Sequence, residues 1–259
     1  MGWTDALIAV VPAMLVSAVL IGLERARGGA PGDMLRNLQC WGLQLLIGFT
    51  VLAHVAWPLH WSLLDGRRLP LWLGLAIFLI ARDFGEYMFH RAQHRIPFLW
   101  SMHSLHHSDP DLNVSTTGRH FWLEYLLKSL TVYLAVGSIF KVDAAIASSY
   151  ALLTFYNYFT HMDVRVGFGK FSWILNSPQF HRVHHSRLPQ HYDCNFAGLL
   201  PVFDCLFGTY RKPEPGEFPP TGLDGGDMPG SVLAALAWPL RRLPPFQAAR
   251  SILPSSTAR

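Results

Sequence analysis

Three long apolar runs open the chain, and the later runs are shorter and more polar. Ala6–Leu23 carries no charge for 18 residues, Leu38–Leu64 for 27, and Leu69–Ala81 begins a third run. About 20 apolar residues in a helix cross a bilayer, so each run predicts a membrane helix. Pro12 lies inside the first and predicts a kink. The loop after it holds Arg25, Arg27 and Arg36 against Glu24 and Asp33. Basic loops stay on the cytoplasmic side, which sets the N-terminus outside. Trp57 and Trp61 fit an interfacial belt, and the third run returns the chain to the cytoplasm at Arg82 and Asp83.

Further on, Phe121–Phe140 and Val142–Phe159 are interrupted by Glu124, Lys128, Lys141 and Asp143. They read as a helical hairpin that spans or dips into the membrane, with both ends cytoplasmic. Because charges at such depth are costly, a core hairpin of a cytosolic cap is the alternative. Lys212–Gly230 is rich in Pro, Gly and acids and reads as a surface loop. Ser231–Leu243 contains an apolar run ending in Arg241 and Arg242, which predicts a helix lying on the membrane surface. The expected fold is all-α: an integral membrane bundle of about four transmembrane-type helices under a cytosolic helical cap. Residues 1–69 form the N-terminal membrane helices, 70–210 the central domain and 211–259 a Pro-rich tail.

Composition agrees with a membrane. Charged residues are 15% and apolar ones 51%, too greasy for an ordinary soluble domain. The net charge of +4 comes partly from loop arginines, which fits a cytoplasmic membrane face better than nucleic acid. Cys40, Cys194 and Cys205 form no CxxC pair, so neither thiolate metal ligation nor a disulfide framework is expected.

The chemistry lies in the histidines. Of 13, ten fall between His90 and His185. On a helix, residues three and four apart share a face. His90 and His94 therefore point one way, while His103, His106 and His107 form a three-pronged face and His181, His184 and His185 another. His161 adds a ninth ring. A lone His54 or His60 carries little information, but clustered imidazoles are costly to bury without a purpose. One ion takes about four to six ligands, so these faces predict two ions. Imidazole alone does not name the metal. HExxH, GxSxG, P-loop and GxGxxG motifs are missing from the sequence, which argues against the usual zinc hydrolase, serine hydrolase and nucleotide-binding sites. A redox pair such as two irons, able to activate dioxygen, is the reading that uses so many nitrogens beside a membrane. Asp83, Glu86, Glu124 and Asp193 are candidates to orient ligand rings. His120 is a candidate extra ligand, and His191 a candidate for the outer shell or the substrate mouth.

At these residues the chain resembles the fatty acid hydroxylase / sterol desaturase superfamily of membrane di-iron enzymes. Asp83-Phe-Gly-Glu-Tyr87-Met-Phe-His90-Arg-Ala-Gln-His94 is similar to its first box. Leu99-Trp100-Ser-Met-His103-Ser-Leu-His106-His107-Ser108, with Asn113 after it, is similar to the second. His161-Met-Asp-Val-Arg165 resembles the isolated histidine segment. Ser177-Pro-Gln-Phe-His181-Arg-Val-His184-His185-Ser186, Asp193-Cys-Asn195-Phe196 and Asp204-Cys-Leu-Phe-Gly-Thr-Tyr210 resemble the third box and its tail. The similarity covers about Leu71 to Tyr210. It departs at Phe121, where many relatives carry a histidine, and at Asn195-Phe196-Ala197-Gly198, where the usual step has one residue fewer.

The resemblance implies a multi-pass membrane enzyme with its site on the cytoplasmic face. Two Fe ions would be held by His90, His94, His103, His106, His107, His161, His181, His184 and His185. It implies O2 as co-substrate, hydroxylation or desaturation of a lipid entering from the membrane, and electrons from a separate donor, a b-type cytochrome or ferredoxin-like protein with an NAD(P)H reductase. No catalytic residue beyond the ligands is required. The rivals are an acyl desaturase of the other histidine-box family and a histidine-rich metal-binding or transport protein.

Overall fold

A computed structural model describes residues 3–29, 32–51, 62–141 and 153–242, with the backbone alone at 3–10, 13, 48–51 and 67. The chain is mostly helical. Two helices come first, α1 (Trp3–Ala26) and α2 (Met34–Val51). The long α3 (Leu71–Arg95) starts after Pro70 and stops at Ile96, whose extended backbone (φ −100°, ψ 114°) is what a residue before proline adopts. Pro97 then starts α4 (Pro97–His103), where its missing N–H costs nothing. Next come α5 (Trp122–Lys128), one π-helical turn (Ser129–Tyr133) and α6 (Leu134–Ile139). Residues 153–160 form α7. Ser177 caps α8 (Pro178–His184) by accepting from Phe180 N at 3.2 Å. α9 (Val202–Phe207) ends on Gly208 in the left-handed region (φ 72°). Among the described residues a two-residue parallel strand pair also forms, Leu64 with Phe140 and Asp65 with Lys141.

The membrane helices expected from sequence are not met among the described residues: no helix there is long and apolar enough to cross a membrane. The third run is part of a longer helix: after Ala81 it continues to Arg95 through Arg82, Asp83, Glu86 and Arg91, so its second half carries the charged residues. The later part of Leu38–Leu64, with Trp57 and Trp61, and most of Val142–Phe159 lie outside the described residues. The tail's Ser231–Leu243 run becomes two short helices, α10 (Val232–Leu236) and α11 (Trp238–Arg242). They fold back on the body: Ala235 and Trp238 are buried with Cys40, Met102, Leu105 and Phe121. Trp238 Nε1 donates to Ser104 Oγ at 2.9 Å.

Buried polar groups fix the loops that carry the histidines. Arg119 is fully buried and donates to Leu105 O, Ser108 Oγ and Asn37 Oδ1 at 3.1–3.3 Å. Asn37 in turn donates to Asp109 Oδ2 and Ser115 Oγ, both at 2.9 Å. This network ties α2 to the loop after His107. Glu24, at the end of α1, is buried and accepts from the backbone N–H groups of Val114 and Asp163. One carboxylate thereby holds the loop after His107 and the loop after His161 to the same helix. Removing one member of such a network leaves the others buried without partners, at about 1–3 kcal/mol per group.

Candidate metal centre

Each histidine arrives on an element whose geometry aims it. His90 and His94 share a face of α3 one turn apart. His103 ends α4, and His106 and His107 sit on the 3-10 turn just beyond it. His161 comes directly after α7, and His181, His184 and His185 lie on and just after α8. Among the described residues these nine rings fall into two groups. His90, His94, His103, His107 and His184 form one, and His106, His161, His181 and His185 the other; within each, the ligand atoms lie within 4.8 Å of one another. The groups adjoin, with the rings of His107 and His185 stacked at 4.3 Å and those of His103 and His106 5.3 Å apart. The His106-His107 and His184-His185 pairs explain the adjacency. Consecutive residues on a helical turn diverge, so each pair sends one ring to each group.

The nitrogens converge as a cation requires. His94 Nε2 and His107 Nε2 are 3.2 Å apart. His161 Nε2 lies 3.2 Å from His106 Nε2 and 3.1 Å from His181 Nε2. Two ligand nitrogens about 2.1 Å from one ion sit roughly 3.0–3.4 Å apart in octahedral or tetrahedral geometry. The opposite ring nitrogens are held from behind. His90 Nδ1 is 2.8 Å from Phe196 O, His184 Nδ1 2.8 Å from Cys194 O, His161 Nδ1 2.7 Å from Asn157 O and His103 Nδ1 3.0 Å from Glu124 Oε2. A carbonyl can only accept, so the proton sits on Nδ1 and leaves Nε2 with a bare lone pair. The Nε2 atoms of His90, His103, His184 and His185 are buried with no hydrogen-bond partner. The nine ligand nitrogens, five in one group and four in the other, fit two metal ions. Burial and neighbouring rings also keep the imidazoles neutral, as ligands must be. Burial pushes His103 down to about 4 and His161 to about 3, and holds His90, His106, His107, His181, His184 and His185 well below 6.5.

The remaining candidates divide. Glu124 is buried beside the site and also accepts from Gln93 Nε2 (2.6 Å) and Phe121 N (2.9 Å). His120 forms a third group with His103 and Glu124, and its ring stacks on His106 at 4.1 Å. Asp193 Oδ1 stands 3.6 Å from His94 Nδ1 and is half exposed. Asp83 reaches no histidine. It accepts from Leu199 N (2.9 Å) and Leu200 N (2.8 Å), anchoring the tail of the third box to α3, and burial pushes its carboxyl up to about 7. Glu86 pairs with Arg82 and with Lys128. His191 lies apart from the three groups, its Nε2 3.1 Å from Glu217 Oε1. Three partners went unread in the sequence because they are main-chain carbonyls: those of Asn157, Cys194 and Phe196. One signal for them existed. Asp193 and Asn195 have positive φ, 55° and 59°, and Asp and Asn tolerate that region best among residues with side chains. The resulting twist turns the carbonyls of 194 and 196 inward.

Fold and site together define a class first: a mostly helical protein with two adjoining histidine groups, each able to hold a metal ion. The model of the family described as fatty acid hydroxylase matches residues 75–209, just over half of the chain, and the chain belongs to that family. It is 33% identical over 165 residues to alkylglycerol monooxygenase of Xenopus tropicalis, covering 64% of this chain and 33% of that protein. It is 32% identical over 190 residues to ornithine lipid hydroxylase OlsE of Rhizobium tropici, covering 72% and 54%. A more distant relative is very-long-chain aldehyde decarbonylase GL1-5 of Oryza sativa subsp. indica, at 24% over 241 residues, 79% and 37%. The matched regions span about a third to just over half the length of these proteins. No solved structure matches.

Proposed function

We propose that the chain is a membrane-bound oxygenase that places one atom of O2 into a C–H bond of a lipid, using two iron ions. His90, His94, His103, His107 and His184 would hold one ion; His106, His161, His181 and His185 would hold the other. The observation that carries this reading is the back-side tethering of His90, His103, His161 and His184, each with its Nε2 turned inward, next to a second such group. Bound iron would supply dioxygen activation and a path for electrons. The balance is R–H + O2 + 2 electrons + 2 protons giving R–OH + H2O, so the protein depends on an external donor for the electrons. The chain's own part is to keep the rings neutral, fix their tautomers and exclude water. Hydroxylation is favoured over desaturation because two of the relatives are named for oxygen insertion.

A membrane setting is supported by the surface. Leu15, Val19 and Leu23 on α1, Leu35, Leu38 and Leu46 on α2, and Leu71, Trp72 and Ile80 on α3 are all exposed. That much bare hydrocarbon on three helices is more than water favours. In this reading the runs at Ala6–Leu23, Leu38–Leu64 and Leu69–Ala81 lie in the bilayer, and the histidines on its cytoplasmic side.

The test is metal analysis of the purified full chain, with mass spectrometry of lipids from cells with and without it under isotopically labelled O2. Two irons per chain and a lipid heavier by one labelled oxygen are expected. A lipid lighter by two hydrogens would replace hydroxylation by desaturation. Metal that passes to an acceptor without O2 uptake would overturn the oxygenase.

A further inference from the structure

Between the histidine segments a short loop breaks the usual pattern of burial. After α7 and His161 the chain makes a 3-10 turn at Gly169–Phe171 and then enters α8. Phe171, Trp173, Ile174 and Leu175 are all exposed, 37–55%. Ser172 between them is buried, its Oγ 2.7 Å from Tyr210 OH. The loop is thus pinned at its base while its large apolar side chains face outward. Single exposed apolar residues need no explanation, but four within five positions do.

Beside this loop opens a cleft of about 360 Å³. Its lining includes Arg165, Lys170 and Lys212, and also Glu214 and Glu217. Arg211 takes up the charge of Glu217 through two bonds of 2.9 and 3.0 Å. Glu214 then stands against three cations, and the cleft is net positive. Its floor includes Ser177 and Gln179, next to and on the helix that carries His181, His184 and His185.

Outward aromatic and aliphatic side chains next to cations are what an interface between hydrocarbon and anionic headgroups selects. We infer that residues 165–175 form an interfacial hook: Phe171, Trp173, Ile174 and Leu175 enter the outer layer of a bilayer while Lys170 and Lys212 bind the headgroup of an anionic phospholipid in the cleft. The hook would fix the tilt of the histidine segments against the lipid surface. This inference rests on the membrane part of the proposed function and on no assumption about the reaction.

The experiment uses the full chain in nanodiscs of phosphatidylcholine with and without phosphatidylglycerol. Flotation of the full chain with vesicles tests the membrane reading on its own. A nitroxide is attached at Phe171→Cys in a Cys205→Ser background, since Cys40 and Cys194 are buried. The label should collide with dioxygen in preference to a water-soluble nickel chelate, and native mass spectrometry should show retained phosphatidylglycerol. The Lys170→Gln/Lys212→Gln pair should bind that lipid about thirtyfold more weakly with metal content unchanged. A label open to the nickel chelate, or lipid retention untouched by the double substitution, would overturn the hook. So would a water-facing label that becomes shielded only when an acidic redox protein is added, because the cleft would then belong to a protein partner.

Discussion

The two histidine groups are built from the same residue type but are held differently. In the five-membered group, four rings have something behind them: carbonyl oxygens for His90 and His184, Glu124 for His103 and, at longer range, Asp193 for His94. In the four-membered group, among the described residues, only His161 has such a tether, to Asn157 O, while His106 Nδ1 and His181 Nδ1 are buried without a partner. Outer partners fix ring orientation and raise ligand basicity. The five-membered group is therefore the more rigid cage and the other the looser one.

The largest expected effect breaks the pair altogether. His107 belongs to the five-membered group and stacks on His185 of the other. His107→Ala should lower both metal occupancies and reduce lipid oxidation by more than the about 10- to 100-fold typical of losing an outer partner. His161→Ala should instead leave about one ion per chain in metal analysis. Titration of the intact protein with a chelator should likewise remove the metals in two steps, and the ion that remains should match the one His161→Ala keeps. Simultaneous loss of both metals would show that the two cages are equally firm.

Glu124 tests the rigid side. Its carboxylate receives His103 Nδ1, Gln93 Nε2 and Phe121 N at once. Glu124→Gln keeps the volume but weakens the acceptor, and should cost about 10- to 100-fold in affinity for one ion. The second ion should be unaffected, as read by competition with a metal-sensitive dye. Equal weakening of both would mean that His120, stacked on His106, passes the disturbance across.

A smaller, whole-site effect comes from the neutral rings. Burial lowers His103 to about 4 and His161 to about 3, against about 6.5 in an unfolded chain. Between those limits the unfolded state binds more protons, so stability rises with pH. The metal-free protein should be firmest above about pH 6.5 and its Tm should fall as the pH drops toward about 5. Bound metal should raise the Tm without flattening this dependence, because protons and metal compete for the same lone pairs and the metal's contribution also grows with pH.

Eight of the nine rings could be read from sequence because helix spacing brings the members of HxxxH and HxxHH together; His161, in neither motif, stood alone in the sequence. The division of the nine into five and four could not be read. It depends on which ring of each His-His pair points which way, a matter of backbone direction at 106–107 and 184–185. The tethers were hidden for another reason: every residue has a carbonyl, so Cys194 and Phe196 carry no mark of their role. The apolar runs were legible as long hydrophobic segments, and the HxxxH spacing put His90 and His94 on a helix, as the continuation of α3 to Arg95 does. The packing of the tail was hidden, since burial of Trp238 depends on Ser104, 134 positions away.

Asp193 offers the finest discrimination between the two cages. At 3.6 Å from His94 Nδ1 and with its side chain 56% exposed, it is the weakest tether of the rigid group. Exposed charge pairs are screened and contribute only about 0–1 kcal/mol. Asparagine accepts the same positive φ as aspartate, so Asp193→Asn removes the charge without disturbing the turn that aims the carbonyls of 194 and 196. Metal affinity should fall by less than about fivefold at low salt and by almost nothing at high salt. A loss as large as that of Glu124→Gln would mean that charge rather than geometry holds the His94 side of the cage, and the contrast between the two groups would then be one of electrostatics.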